Sequence, residues 1–415
     1  MTHPRRSGPV SDRSLFALAL LNFFLADARD GLGPFLDGFL ATRGWSSLSL
    51  GLIATVGGLI GLVVTPAFGA VVDGSTRKRA LIAAPVLVVT AAALATLVWP
   101  TPMIVWVGQI GTAVVAAVIG PALMGLTLGL VGQRVFPHQV GRNEFWNHTG
   151  NVASLAAVFV LVSLFGEPAI IGLMLFTAVG AIAAIAAIDP TRIDNRAARG
   201  LDDTAADQAP SGLKVLVTTP GLLVLGLLLL MFHFGNAPMS RLVAQQFSIE
   251  LGTPFRTTAI ITGVSQLTMI AVAAATPTLI RRFGLTPLFL VALCALPVRG
   301  VIAGTIHGFW AIYPVQALDG IGAGLIGILT PVAVERLLAG TGRFNIGLAA
   351  VMTLQGVGAS LSNVVAGTLV TWRGYQFSHL VSAGIAVVAV AIFCAARRHV
   401  VGAAPRRGTK PTAYV

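Results

Sequence analysis

The chain consists of long runs of apolar residues separated by short polar stretches. An α-helix needs roughly 20 apolar residues to cross a bilayer, and twelve runs reach about that length. The short alternating segments that are typical of a membrane β-barrel are absent. The pattern therefore predicts twelve membrane-spanning helices, at 14–40, 47–72, 80–98, 103–131, 144–165, 169–188, 216–237, 255–279, 287–306, 309–334, 344–370 and 377–396.

The longest polar stretch, 189–214, divides these runs into six and six. It mixes basic residues with aspartates and ends in Pro-Ser-Gly, which is typical of a flexible linker. We therefore predict an all-α membrane protein with two six-helix bundles, 1–188 and 215–396. The stretch 189–214 is predicted to be a cytoplasmic linker, and 397–415 a basic cytoplasmic tail.

Composition supports a membrane protein, since 55% of the 415 residues are hydrophobic and only 10% are charged. Soluble domains carry about 25% charged residues. If the N-terminus is inside, 21 of the 27 Lys and Arg residues lie in cytoplasmic segments and 4 lie outside. This bias predicts a multi-pass protein of the inner (plasma) membrane with both termini in the cytoplasm. It also explains the net charge of +12 without a nucleic-acid partner.

Several classes of chemistry are excluded by missing motifs. The two cysteines, Cys294 and Cys394, lie in separate apolar runs, so we predict two buried thiols and neither a disulfide nor a metal site. No GxxxxGK[ST] phosphate loop is present, and the cytoplasmic segments are too short for an ATPase domain. The first apolar run is too long for the core of a cleavable signal peptide. We expect no enzyme activity and no cofactor.

The stretch GAVVDGSTRKR, 69–79, resembles the signature between spans 2 and 3 of the major facilitator superfamily. Gly69, Asp73, Arg77 and Lys78 carry the match, and the arrangement of six plus six spans is similar to that family. The resemblance implies a secondary transporter that works by alternating access, with Asp73, Arg77 and Lys78 closing the cytoplasmic side. The alternative is a solvated basic turn that only sets topology.

The two halves of the chain also resemble each other weakly. LADA at 25–28 matches FGNA at 234–237, and Gly-Arg precedes both span 5 and span 11. Because such matches occur in the same order in both halves, we interpret them as traces of an internal duplication.

Polar residues inside the spans are the candidates for the transport path, because each ionisable group there costs about 2.5–3.5 kcal/mol on insertion scales. By resemblance, spans 1, 4, 7 and 10 line the central cavity. The candidates are Asp27, Arg29 and Asp30 of span 1, Gln109 of span 4, Asn147, His148 and Asn151 of span 5, His233 and Asn236 of span 7, Arg299 of span 9, and Gln316 and Asp319 of span 10.

Asp27 and Asp30 are three residues apart, so on a continuous helix they share a face. The Gly-Leu-Gly-Pro stretch at 31–34 predicts a kinked or loosened helix just after them. Arg29 or another helix neutralises one carboxylate, and the other is free to carry a proton. The alternative is a static ion pair that braces the kink.

Arg299 and Asp319 lie on consecutive predicted spans, which makes a buried ion pair one interpretation. The other is that Arg299 binds an anionic substrate. His233 either takes part in proton transfer or is a hydrogen-bonded structural residue.

We therefore expect a monomeric, proton-coupled transporter whose partners are a small-molecule substrate, protons and the lipid bilayer, with export favoured. The first alternative is proton-coupled uptake of a small organic anion. A second, of another class, is a membrane sensor or scaffold that transports nothing. The intramembrane charges argue against that class, because apolar residues in their place would be more stable.

Overall fold

The computed structural model describes residues 12–195, 197–199, 218–338 and 344–401, apart from some side chains within helices, among them those of Gly69 and Asp73. In this part of the chain all regular structure is helical. The helices are α1 Asp12–Ala28, α2 Phe35–Ala41, α3 Ser47–Gly74, α4 Ala80–Val98, α5 Pro102–Ala116, α6 Ile119–Phe165, α7 Ala169–Ala187, α8 Pro220–Leu251, α9 Pro254–Phe283, α10 Leu285–Thr305, α11 Ile312–Leu338 and α12 Phe344–Val401.

Ten helical stretches within the described ranges are long and apolar enough to cross a membrane. They account for every predicted span except the first, and the last of them, Gly347–Val401, covers two predicted spans. Gly374 interrupts that helix with a φ of 85°. The all-helical membrane class is confirmed, while the count of twelve spans stays a prediction.

The first predicted span is divided in the structure. Helix α1 ends at Ala28, a turn follows, and α2 begins at Phe35. Gly31 and Gly33 have φ values of 62° and 45°, a region that glycine enters without a Cβ clash. The predicted loosening is confirmed. Asp30 therefore lies in the turn and not on the helix that the sequence predicts, although it lines the same cavity as Asp27.

Other helices run further than hydropathy predicts. The predicted loop 132–142 is helical apart from Gly132, whose φ is 70°. The predicted loop 238–254 is helical to Leu251, because Gln245 and Ser248 are buried although they are polar. The final helix continues to Val401 instead of ending at 396. Most of the predicted linker 189–214 and tail 397–415 lies outside the described residues.

The chain divides into two compact units. One is Met1–Asp207 together with Ala244–Gly263, and the other is Gln208–Val243 together with Val264–Val415. The bundle boundaries that the sequence analysis places at 188 and 215 stay predictions.

In the first unit, α1 packs against both α6 and α7. The core there is built from buried aliphatic residues such as Leu18, Leu21 and Leu126. At Gly150, α6 approaches α1 so closely that a Cβ would overlap the Phe23 carbonyl oxygen. This close crossing brings the polar residues that follow Gly150 next to the end of α1.

In the second unit, α10 packs against α11 and α12 around a core that includes Phe232, Phe289 and Phe393. Gly300 lies at the crossing of α10 and α12, where a Cβ would lie 2.8 Å from the Ala383 Cβ. Small residues allow such close helix approach in membranes.

The outer surface carries large apolar side chains, for example Met103 and Val63, which are 78% and 77% exposed. Such residues face lipid in a membrane protein. Cys294 and Cys394 are free thiols and are also exposed, so the prediction that they are buried is wrong. An apolar run shows that residues avoid water, but not whether they face lipid or protein.

Candidate functional site

A cavity of about 60 Å³ opens in the first unit where α1 ends. One wall is the turn 31–34, and the opposite wall is α6. Four side chains give the cavity its polar character, namely Asp27, Asp30, Asn151 and Ser154.

Asp27 is held by two hydroxyl groups from different helices. The Ser154 Oγ of α6 donates to its Oδ1 at 2.8 Å, and the Thr177 Oγ1 of α7 donates to its Oδ2 at 2.8 Å. No Lys or Arg among the described residues forms an ion pair with this carboxylate. Both carboxylate oxygens of Asp27 thus accept a hydrogen bond, and no cation in the described part of the chain compensates a charge on them.

The Thr177 hydroxyl has a second acceptor within reach. Its Oγ1 lies 3.1 Å from the Met174 carbonyl oxygen as well as 2.8 Å from Asp27. A hydroxyl carries one proton, so it donates fully to only one of the two. The side chain therefore has two possible hydrogen-bond arrangements at this position.

Asp30 has a cation next to it. The Arg29 Nε lies 3.4 Å from the Asp30 Oδ1, and the two side chains are 44% and 56% exposed. Ion pairs this exposed contribute about 0–1 kcal/mol in water. Arg29 is therefore paired with Asp30 and leaves Asp27 without a guanidinium partner.

The second unit holds the ion pair that the sequence analysis considered between spans 9 and 10. The Arg299 Nη1 lies 2.8 Å from the Asp319 Oδ1, and Arg299 is fully buried. Nη1 also donates to the Asn236 Oδ1 at 2.6 Å, and Nη2 to the Ser240 Oγ at 2.6 Å. The Ser265 Oγ donates to the Asp319 Oδ2 at 2.7 Å. Both charges are thus compensated and hydrogen-bonded.

The remaining candidates lie around these two sites or apart from them. Gln316 is buried, with its Oε1 3.5 Å from the Arg299 Nη2. The His233 Nδ1 lies 3.0 Å from the Leu229 carbonyl oxygen of its own helix, as expected of a structural histidine. Asn147 accepts a hydrogen bond from Asn151 at 3.4 Å. Two candidates are not part of either site, namely Gln109, which is half-buried on α5, and His148, which is exposed.

The motif 69–79 begins in the last part of α3 and continues through the turn that follows the helix. Lys78 is fully buried, and its Nζ donates to the carbonyl oxygens of Val72 at 2.9 Å and Ser75 at 3.2 Å. A lysine at this place stabilises a helix C-terminus. Arg77 is exposed, as the alternative of a solvated basic turn predicts, whereas the buried Lys78 does not fit that alternative. The surroundings of Gly69 and of the Asp73 side chain lie outside what the structure describes. A gating role for the motif therefore stays a prediction.

Sequence analysis missed the hydroxyl groups that hold both carboxylates. They are Ser154 and Thr177 in the first unit and, in the second, Ser265 and Ser240, whose Oγ donates to the Asp319 Oδ2 at 3.4 Å. Each is a small polar residue within an apolar helix. A polar residue in an apolar helix is a signal that sequence offers. It is not specific, because Ser and Thr side chains often donate to a carbonyl group of their own helix.

A model of the MFS_1 like family matches residues 15–381 of the chain. The chain belongs to the major facilitator superfamily. It is therefore a membrane transporter and not an enzyme. An uncharacterized MFS-type transporter of Mycobacterium tuberculosis is 36% identical over 409 residues, which cover 97% of each chain.

Two further proteins are more distantly similar. Macrolide efflux protein A of Streptococcus pyogenes is 26% identical over 212 residues, which cover 49% of this chain and 51% of that protein. A mutant of the nucleoside transporter NupG has a TM-score of 0.75 at 15% identity, over 92% of this chain and 99% of that chain. This structural likeness shows the fold alone.

Proposed function

We propose that this transporter exports a small solute by alternating access, acting as a monomer, and that proton binding at Asp27 drives the cycle. The observation that carries the proposal is the pair of hydroxyl donors on Asp27, combined with the absence of an ion-pair partner within the described residues. The charge of Asp319, by contrast, is already balanced by Arg299.

The hydrogen bonds around Asp27 suit both protonation states. An ionised carboxylate accepts from Ser154 and Thr177. A protonated Oδ2 donates to the Thr177 Oγ1, and the Thr177 hydroxyl then donates to the Met174 carbonyl oxygen. A buried polar group without a partner costs about 1–3 kcal/mol, and neither state leaves one. The proton therefore binds and leaves without disrupting the packing of α1 on α7.

Protonation also provides the driving force for a conformational cycle. A charged carboxylate at membrane depth favours whichever conformation hydrates it, and a neutral one does not. The cavity places Asp30 and Asn151 next to Asp27, so a solute in the cavity contacts the group that binds the proton. Competition between the two links solute movement to the proton gradient.

Export is favoured over uptake by the relative that is named as a macrolide efflux protein. Uptake of an organic anion through Arg299 has less support, because that guanidinium is buried and its two Nη atoms already have hydrogen-bond partners.

The test is transport by the purified protein in proteoliposomes with an imposed pH gradient. The probes are a macrolide antibiotic and a nucleoside, the solute classes named for the two distant relatives. We expect Asp27→Asn to lose at least tenfold in gradient-driven flux and to keep downhill flux of the same probe. Glu250→Gln, which removes an exposed carboxylate, serves as the matched control and keeps both fluxes.

Two outcomes would contradict the proposal. If Asp27→Asn retains gradient-driven flux while Asp30→Asn loses it, the proton carrier is Asp30. If the wild-type protein binds a probe, as shown by a raised Tm, but carries neither probe across the membrane, a sensor or scaffold is the better interpretation.

We also propose that the protein spans the inner (plasma) membrane twelve times with both termini in the cytoplasm. Helices α1 and α2 together form the first span, and the break at Gly374 divides α12 into the last two. The test uses a Cys-free background with either Lys410→Cys or Glu167→Cys. A membrane-impermeant maleimide should label Glu167→Cys in intact cells and Lys410→Cys only in inverted vesicles.

A further inference from the structure

Three buried polar side chains of the second unit have nitrogen atoms for which the described residues provide no hydrogen-bond partner. They are the Arg299 Nε, the Gln316 Nε2, and both ring nitrogens of His379. The three side chains come from α10, α11 and α12, and each residue is at most 1% exposed. His379 has no role in the transport cycle proposed above.

These groups lie at one place in the helix packing. The Gln316 Oε1 is 3.5 Å from the Arg299 Nη2, so the Gln316 amide lies beside the guanidinium. Gly300, which follows Arg299 in the chain, packs against the backbone of His379. A Cβ built on Gly300 would lie only 2.9 Å from the His379 carbonyl oxygen. The three residues with unpartnered nitrogens are therefore neighbours in the packing, at the place where α10 crosses α11 and α12.

The chemistry of this set selects the kind of group that would satisfy it. The Arg299 Nε–H and the Gln316 Nε2 can only donate, and a neutral histidine ring offers one donor and one acceptor. Three donor groups and one acceptor suit a small ligand that accepts several hydrogen bonds. Buried polar groups in native proteins are commonly satisfied by an internal ligand of this size, most often a water molecule with about three hydrogen bonds.

We propose that Arg299, Gln316 and His379 form an internal site for one small hydrogen-bond acceptor, either a water molecule or a halide ion. The charged groups at the site are Arg299 and its partner Asp319. Because Asp319 balances the guanidinium, the site suits a neutral water, and its converging donors also suit a halide.

The first experiment measures the Tm of the full-length protein in detergent for His379→Phe, Gln316→Leu and the double variant. If the site holds a ligand, each single variant lowers the Tm by several degrees. The double variant then loses less than the sum of the singles, because both break the same site. If the nitrogens are unliganded, removing them relieves a desolvation cost, and the variants are as stable as the wild type or more stable. That result overturns the proposal.

Thr330→Val provides the matched control. Thr330 lies on the same helix as Gln316, is 3% exposed, and has a hydroxyl for which the described residues give no partner. It is not next to the other unpartnered groups, so its replacement should leave the Tm unchanged or raise it. His379→Asn, which keeps one donor and one acceptor, should lie between the wild type and His379→Phe even if His379→Phe folds poorly.

A second experiment distinguishes the two ligands and tests the site directly. The Tm is compared in potassium chloride, bromide and gluconate at equal ionic strength. A halide site gives a higher Tm in the halide salts, and His379→Phe abolishes the difference. A water site gives equal values, and a high-resolution structure shows one solvent density within hydrogen-bond distance of all three side chains. Absence of both the salt effect and the density overturns the proposal.

Discussion

Asp27 in the first unit and Asp319 in the second are both held by hydroxyl groups, but only Asp319 also has a guanidinium partner. The Asp319 carboxylate lies 2.8 Å from Arg299, and Ser265 donates to it. Among the residues that the structure describes, Asp27 accepts from Ser154 and Thr177 and has no ion-pair partner. The nearest arginine in sequence, Arg29, is paired with Asp30 instead.

The difference indicates what each carboxylate is able to do. A proton on Asp319 would leave Arg299 as a buried cation without a counter-charge, which is costly. A proton on Asp27 removes an uncompensated charge and keeps the local hydrogen bonds. The comparison therefore supports the proposal that the Asp319 site stabilises the fold and that the Asp27 site changes its charge reversibly.

The largest effect is expected from removing the two charges separately. Asp319→Asn should cost about 3–5 kcal/mol of stability, because it leaves Arg299 buried and uncompensated. The same change at Asp27 should leave the Tm unchanged or raise it, because no cation loses its partner. Thermal unfolding of both variants in detergent measures the contrast.

A double variant checks the cause of that effect. Asp319→Leu with Arg299→Met removes both charges and should recover most of the stability that Asp319→Asn loses. Equal Tm shifts for Asp27→Asn and Asp319→Asn would remove the distinction between the two sites.

The next largest effect is expected at the glycine crossings that position each site. Gly150→Ala forces α6 away from α1, and Gly300→Ala forces α10 away from α12, each at about 1–3 kcal/mol. Gly150→Ala should also reduce proton-driven flux, because Ser154 moves away from Asp27. The Tm and the flux are measured together.

Two other glycines serve as controls for these crossings. A Cβ on Gly172 of α7 or Gly384 of α12 would have open space around it. Alanine there should be neutral or stabilising, since glycine is a poor helix former. If Gly150→Ala is as stable as Gly172→Ala, the crossing does not set the geometry of the Asp27 site.

A smaller effect is expected from the Thr177 hydroxyl. Thr177→Val removes one hydrogen bond of about 0.5–1.5 kcal/mol, which corresponds to roughly a 2- to 10-fold loss of proton-driven flux. Thr177→Ser keeps the hydroxyl and should keep most of the flux. A Thr177→Val variant with wild-type flux would show that the switch of the Thr177 hydroxyl from Asp27 to the Met174 carbonyl oxygen has no part in proton binding.

Much of the fold follows from the sequence, because hydropathy and basic-residue placement reflect the bilayer directly. The apolar runs predict the membrane helices, and consecutive spans suggested the pairing of Arg299 with Asp319. Hydropathy failed where polar residues are buried between helices. Span 7 is predicted to end before Gln245 and Ser248 because these residues are polar. Both are buried, and α8 continues past them to Leu251.

The candidate site was harder to predict because its partners come from helices far apart in the chain. Asp27 and the turn after it stand out as charges and glycines within an apolar run. Ser154 and Thr177 are separated from Asp27 by 127 and 150 residues, and no local pattern marks them. His379 was missed for the same reason, since only helix packing brings it next to Arg299.

The smallest effect is expected at Asp189, a third carboxylate, which differs from Asp27 and Asp319 in lying outside the membrane-spanning helices. The hydrogen bonds from the Thr191 side chain and backbone hold the pKa of Asp189 below its usual range. Its stabilising effect is therefore full above the unfolded pKa of about 3.9 and is lost as the pH falls through the lower folded value.

Asp189→Ala should lower the Tm slightly at pH 7, and the difference from wild type should shrink on acidification. Asp189→Asn keeps the acceptor for Thr191 and should lose less. A Tm difference that grows as the pH falls would mean that protonation of Asp189 stabilises the folded protein, which contradicts the prediction.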